Sequence, residues 1–518
     1  MSGGAPSLAD ADRAHTAGRL EEAVALYREA LKRQPDSADG WYGLGSAAQS
    51  LGAQGDAATA LARSIACGAT AAPVHLALGR ALFALGEVEA AIDQYTGIEA
   101  VPNRAHRTMA LMNKSVAIPG DPRADNAAVL RVRRDWARAE AATIDAVARP
   151  PRRTRSPGEK LKIGYVSSFF AAANWMKPVY GVINRHDRSA FDVHLFCDGG
   201  MPSAEAGYRD HDTDVLHRIR TASTAELADY IRRVGVDVLV DLNGYSVPGR
   251  LGLYLRRPAP AIVGWFNMFA TSGMPGYGHI VGDDQTIPRR EERYYSERVW
   301  RVPGSYLAFE VAYPVPDVAP PPCLASGHVT FGCLGSQYKI TDGVIAAWAT
   351  ILTRVPNARL FLRNGELSDE SSRAAILARF GKAGIDSARI DMEGRTAHFD
   401  FLASYARVDV ALDTFPYNGG TTTTEALWQG VPVLSFDGDR WASRTSKSLL
   451  VAAGLGEWCL ADEAAYVERA VALASDPATP AILGDMRAGM RARLAASPAC
   501  DCARLCSALE DIYRRVAG

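Results

Sequence analysis

The 518-residue sequence is poor in cysteine, carries almost no net charge and contains no long apolar run, and each deficit closes off a class of protein. Eight scattered cysteines cannot make a disulfide framework in so long a chain, so a reducing compartment is expected. The one cluster, Cys500, Cys502 and Cys506, has no histidine beside it in sequence. Structural zinc wants four ligands in paired spacing, so the cluster reads as core and no metal is expected. Lysine plus arginine number 57 against 58 acids, a balance of −1 that offers no general attraction to nucleic acid or anionic membrane. The opening MSGGAPSLADADRAHTAGRL lacks the basic flank and apolar centre of a signal peptide. With no run of membrane-spanning length either, a cytoplasmic protein without membrane insertion is expected. What remains, 48% apolar and 22% charged, is ordinary globular composition, with length for three or so domains.

The first third is periodic. Gly18, Gly52 and Gly86 are 34 residues apart, and Ala23, Ala57 and Ala91 keep the same interval. Tyr27, Leu61 and Tyr95 share one packing position, Trp41 and His75 another, and Leu44-Gly45 and Leu78-Gly79 a small-residue site. These are features of tetratricopeptide helix-turn-helix units: glycine permits the tight turn, and alanine lets the second helix approach the first. About three units fill residues 4–105, and their concave face is expected to take a protein acceptor, with a packing or dimerisation module as the alternative. A homo-oligomer is left open. Residues 106–158 read as capping helices followed by the solvated, proline-rich and basic linker ARPPRRTRSPGEK. The array is expected to be a structural unit separate from whatever follows it.

From Leu161 onward short β-rich runs alternate with helical stretches: LKIGYVSS, FDVHLFCDG, DVLVDLNG, PAIVGWFN and GHIVGDDQ, then, after the break YPVPDVAPPPC, VTFGCL, ARLFLRN, ARIDMEG, VDVALD and VPVLSF. Near-continuous apolar strands predict buried parallel sheets. The expected fold is α-helical repeats followed by α/β, with two Rossmann-like halves over residues 159–312 and 324–518 and ligands at strand carboxyl ends. No G-x-G-x-x-G follows the first strand, which argues against a dinucleotide dehydrogenase.

The segment ALDTFPYNGGTTTTEALWQGVPV, residues 411–433, carries the most chemistry. A strand ends at Asp413, Gly419 and Gly420 let backbone approach a ligand, and a helix begins in the threonine run. Amide groups and hydroxyls at a helix start suit a diphosphate, the alternative being a plain N-cap. Lys339, just past the strand VTFGCL, could neutralise a departing diphosphate; by itself it would be a surface lysine.

Together the repeats, Lys339 and the glycine-threonine turn resemble the protein O-linked N-acetylglucosamine transferase family, which includes the SPINDLY-type transferases. The likeness is also carried by GYVSS (164–168), VLVDLNGY (238–245), RRPAP (256–260), TSG (271–273), YSERVWRVP (295–303), YKIT (338–341) and ASRTSKSLL (442–450). The resemblance implies a two-Rossmann (GT-B type), inverting, metal-independent transferase that modifies serine or threonine hydroxyls and needs no cofactor beyond its nucleotide-sugar co-substrate. Carried over by position, it implies Lys339 at the diphosphate as the catalytic residue, Gly420, Thr421 and Thr422 at the phosphates, and Glu425 at the ribose. It also implies Phe401 stacked on the base, Thr396 reading the base edge and His398 near the same pocket, while Asn174, Asn243, Tyr245 and Thr271 fall on the sugar and acceptor side. Phe401 has helix core as its alternative, and His398 a helix-start role.

The departures gather around the sugar. Ala173 replaces the family histidine after the first strand, Phe169 replaces an aspartate, Asn267-Met268-Phe269-Ala270 stands before TSG, and Gly335 and Ser336 precede YKIT. The expected donor is UDP-N-acetylglucosamine. The alternatives are GDP-fucose or a CMP-activated nonulosonic acid used on flagellin, or a catalytically weak nucleotide-sugar-binding scaffold.

Overall fold

The computed structural model describes residues 6–145, 148–156 and 158–518. The start of the expected array at residue 4, and positions 146, 147 and 157 of the linker region, lie outside the described residues. The chain divides into two compact units: one runs to Arg123 and adds His328–Ala397 and Val467–Ser475, and the other comprises Ala124–Gly327, His398–Tyr466 and Asp476–Gly518. Among the described residues no helix is long and apolar enough to cross a membrane.

The first unit opens with three helix pairs, Leu8–Thr16 with Leu20–Arg33, Ala38–Ser50 with Gln54–Ala66, and Ala72–Leu85 with Val88–Thr96, followed by Arg104–Ala117. Each pair turns at a left-handed glycine, Gly18, Gly52 or Gly86, with φ of 74°, 83° and 88°. Only glycine adopts that backbone without strain, which is why the 34-residue period is written in glycine. The alanines of the same register, Ala23, Ala57 and Ala91, are fully buried. Opposite them the contacts are equally close: a Cβ on Gly45 would lie 2.6 Å from Leu61, and one on Gly79 would lie 2.3 Å from the Tyr95 ring.

The same unit contains three parallel strands, β8 (Thr330–Cys333), β9 (Arg359–Arg363) and β10 (Ile390–Glu393), in the order β10-β9-β8. The helical repeats pack directly on this α/β part, so the expectation of a separate array is corrected. The physical reason lies at the end of helix Ala72–Leu85, whose last carbonyls have no partner within the helix. Leu85 O accepts Arg379 Nη1 at 2.7 Å and Gln337 Nε2 at 3.3 Å. Phe83 stacks on Tyr338 at 5.0 Å, and a Cβ on Gly86 would sit 2.3 Å from Ile340 O. A cation at a helix carboxyl end also complements the helix dipole.

The second unit holds β1 (Leu161–Ser167), β2 (Phe191–Cys197), β3 (Val215–Arg218), β4 (Val238–Asp241), β5 (Ala261–Gly264), β6 (His279–Gly282) and β7 (Arg298–Arg301). They form one parallel sheet in the order β3-β2-β1-β4-β5-β6-β7. The order reverses between β1 and β4, the place where a doubly wound sheet opens a crevice at its carboxyl ends. Three further parallel strands, β11 (Val410–Leu412), β12 (Val433–Phe436) and β13 (Cys459–Leu460), complete the unit. The fold is thus helical repeats followed by two Rossmann-like parallel-sheet domains, as the sequence predicts. Its final helix, Cys502–Ala517, packs on helix Ala173–Ile183: a Cβ on Gly181 would lie 2.4 Å from Cys502 Sγ.

Candidate functional site

The turn after β11 is built around one carboxylate. Asp413 Oδ1 accepts the amides of Thr414 at 3.0 Å and Gly419 at 2.8 Å, while Oδ2 accepts the Ser435 hydroxyl from β12 at 2.7 Å. This fixes the entry to helix Thr421–Trp428, whose first residue follows Gly420; among the described residues no side chain caps that start. The inner threonines serve the fold, with Thr423 Oγ1 2.9 Å from Ser446 Oγ and Thr424 Oγ1 donating to Thr421 O. Thr421 and Thr422 are half-buried at the mouth. An uncapped helix start beside two outward threonines is a place for an anion.

Aromatic rings adjoin the mouth. Tyr405 Oη donates to Thr422 O at 3.1 Å, and the Phe401 ring meets Tyr405 edge-on at 6.2 Å. Phe401 is half-buried on helix His398–Ala403, and the His398 ring is stacked with it at 6.3 Å. His398 also meets Tyr313 at 5.2 Å; its Nε2 is buried without a hydrogen-bond partner among the described residues. Burial pushes the His398 imidazole below its ordinary range, against the opposing pull of Glu425.

Glu425, the expected ribose ligand, has a buried partner that the sequence reading did not single out. Lys177, on helix Ala173–Ile183, donates to Glu425 Oε1 at 2.7 Å and to the carbonyl of Asn174 at 2.8 Å. Both side chains are nearly sealed, at 1% and 4% exposure, and His398 Nε2 lies 3.9 Å from the same oxygen. Desolvation depresses the Lys177 ammonium, with Glu425 opposing. A lysine inside the apolar run NWMKPVYGVI was the available signal, since lysine is almost never fully buried unless paired.

The other expected residues fall in different settings. Asn243, at the β1/β4 switch point, accepts Ser168 N at 2.9 Å through Oδ1, while its buried Nδ2 has no partner among the described residues. Tyr245 donates to Ser272 O at 2.7 Å under the Arg133 guanidinium, and Thr271 donates to Glu297 at 2.7 Å. Both are buried in this hydrogen-bonded packing. Asn174 is half-buried in the first turn of its helix. Lys339 and Thr396 stand in the first unit, Lys339 half-buried in the turn Gln337–Lys339 after β8 and Thr396 in the loop after β10.

Comparison with known proteins adds to this geometry. A model of glycosyl transferase family 41 matches residues 144–314 and 323–509, and a TPR repeat model matches residues 11–52. A solved O-GlcNAc transferase mutant from Thermobaculum terrenum is 31% identical with a TM-score of 0.80, over 98% of this chain and 96% of that one. A probable UDP-N-acetylglucosamine–peptide N-acetylglucosaminyltransferase SPINDLY of Petunia hybrida is 31% identical over 368 residues, 70% of this chain and 39% of its own length. The Arabidopsis thaliana protein of the same description is 31% identical over 70% of this chain and 40% of its own length. The chain therefore spans about two fifths of the length of these curated relatives.

Proposed function

Since this chain belongs to glycosyl transferase family 41, we propose that it moves a sugar from a nucleotide donor to serine or threonine hydroxyls of a protein acceptor. The observation that carries the reading is the uncapped helix start at Thr421, set by Asp413 and flanked by the Phe401 and Tyr405 rings. A diphosphate would lie on the amides of that helix start, with Thr421 and Thr422 as additional donors and Phe401 against the base. Lys339 would supply positive charge to the leaving diphosphate, so the charge that develops as the glycosidic bond breaks is met by a lysine and a helix end. The anomeric carbon is attacked by the acceptor hydroxyl from the opposite side, which inverts its configuration. The hydroxyl proton passes to a donor phosphate oxygen or through water, because Ala173 stands where the family resemblance expects an imidazole.

UDP-N-acetylglucosamine is the donor the reading favours, in keeping with what the names of the plant relatives describe for those proteins. The replacements at Phe169, Ala173 and residues 267–270 favour GDP-fucose or a CMP-nonulosonic acid as the second reading. The acceptor would bind along the repeats, where a cavity of 400 Å³ is lined by Arg28, Leu31, Lys32, Trp41 and Leu44 among others. Trp41 and Leu31 give it an apolar floor that suits an extended peptide.

A melting-temperature panel with UDP, GDP and CMP sugars, followed by product analysis with the stabilising donor, tests the reading. A ligand that binds only the folded state raises the melting temperature with its concentration. UDP-N-acetylglucosamine is expected to do so and to yield glycosylated acceptor. A shift with a GDP or CMP sugar alone moves the donor assignment, and binding without transfer makes the chain a scaffold. With the same donor, Phe401→Ala is expected to weaken nucleotide binding by about 1–3 kcal/mol, the range for a base stacked on an aromatic ring. Unchanged affinity in a folded variant would return Phe401 to a packing role.

A further inference from the structure

The cysteine cluster that has no histidine beside it in sequence has one beside it in space. His186 follows helix Ala173–Ile183, and Cys506 and Glu510 stand four residues apart on one face of helix Cys502–Ala517. The three ligand atoms converge: His186 Nδ1 lies 3.0 Å from Glu510 Oε1 and 3.6 Å from Cys506 Sγ, and Sγ lies 3.8 Å from Oε1. We propose that His186, Cys506 and Glu510 form a three-ligand zinc site, its fourth position left to water, that fastens the C-terminal helix to the loop after helix Ala173–Ile183.

The geometry suits that ion. Zinc bonds of about 2.0–2.3 Å to nitrogen, oxygen and sulfur in a tetrahedron leave neighbouring ligand atoms about 3.3–3.7 Å apart. Cys506 Sγ stands 3.6 and 3.8 Å from the other two atoms, close to that spacing, while the 3.0 Å between Nδ1 and Oε1 is a hydrogen-bond distance that a bound ion would widen, and a water would complete the fourth vertex. The far side of the imidazole is also prepared. Tyr165 donates its hydroxyl proton to Tyr513 Oη at 3.2 Å, so its oxygen is free to accept from His186 Nε2 at 2.7 Å. With that bond Nδ1 carries the lone pair, as metal-bound histidines generally require of a hydrogen-bonded neighbour. The lone pair then faces the Glu510 carboxylate at 3.0 Å, so either a proton or a metal ion lies between the two acceptors.

Charge agrees. A thiolate, a carboxylate and a neutral imidazole around a zinc ion sum to zero, the least costly total for groups as buried as these. The arginines nearby are already matched, Arg188 to Asp214 at 2.7 Å and Arg185 to Glu310, while Arg514 meets the other oxygen of Glu510 at 3.4 Å. Asp187 N donates to Glu510 Oε1 at 3.0 Å and steadies the carboxylate. Zinc is favoured over magnesium or calcium because the set includes a thiol and an imidazole.

The full chain, purified without chelator from zinc-supplemented medium and without a histidine tag, is the material for the test. About one zinc per chain by elemental analysis is expected, lost in Cys506→Ser and in Glu510→Gln, with a melting temperature that falls when a strong chelator strips the wild-type protein. Cobalt loaded into the stripped protein should show thiolate-to-cobalt charge-transfer absorption, a readout that does not depend on any variant folding. Substoichiometric zinc after supplementation together with no cobalt–thiolate band would mean that a proton bridges His186 and Glu510, and the proposal falls. Zinc retained at full occupancy in a folded Cys506→Ser places the ion elsewhere and overturns it equally.

Discussion

Replacing Lys339 with alanine is expected to lower product formation by roughly 10²–10³, the usual cost of removing one electrostatic donor aimed at developing charge, while the melting temperature moves little. The separation of the two effects follows from where the turn gets its stability. Gln337 reaches Leu85 O and receives Asn364 Nδ2 at 3.1 Å, and Tyr338 stacks on Phe83, so the turn Gln337–Lys339 keeps these anchors when residue 339 changes. A lysine that acts on the leaving group contributes mainly in the transition state, so turnover should fall more than donor affinity. Ala173 leaves no imidazole at the position where the family resemblance expects one, which removes one means of compensation. Product assays and melting curves with the donor found by the panel check both halves. Near-normal turnover would leave family membership standing and remove the proposed role of Lys339.

The largest expected effect on stability is at Lys177. Lys177→Met leaves the Glu425 carboxylate sealed in protein without its cation, and breaking a buried pair from one side costs about 3–5 kcal/mol. Replacing both partners, Lys177→Met with Glu425→Leu, should recover most of the loss, because no charge is stranded. Urea unfolding midpoints of the three proteins at neutral pH are the measurement. A single variant as stable as the natural protein would mean that the pair contributes nothing.

Much of the fold was legible because its constraints are local. The glycine turns at 18, 52 and 86 repeat in the one residue type their backbone tolerates, and all ten predicted β-runs form strands. The resemblance drawn from short motifs is borne out by the family 41 match over most of the α/β part. The missed strands are β3, β7 and the two-residue β13, and all three are sheet edges. β3 reads Val-Leu-His-Arg with three of its four residues exposed, so it lacks the continuous apolar signal of a buried strand. The candidate site was legible where one segment carries it, as in the turn from Asp413 through Glu425. It was not where partners are distant: Lys177 meets Glu425 across 248 residues and His186 meets Cys506 across 320, separations that no local pattern records.

The docking of the third helix pair has a consequence for how the chain can change length. Leu85 and Gly86 are fitted to Arg379, Gln337 and Ile340, so whatever pair occupies that position must reproduce a glycine turn and a carbonyl aimed at Arg379. The first pair carries no such obligation, since a Cβ on its turn residue Gly18 would meet nothing within 4 Å. Duplication or recombination can therefore extend the array at its outer end with little disturbance to the α/β part. An insertion within Ala72–Gly86 would instead displace the junction that keys the repeats to the Lys339 turn, and one near Asp56 would disturb its amide's bond to Ser371 Oγ.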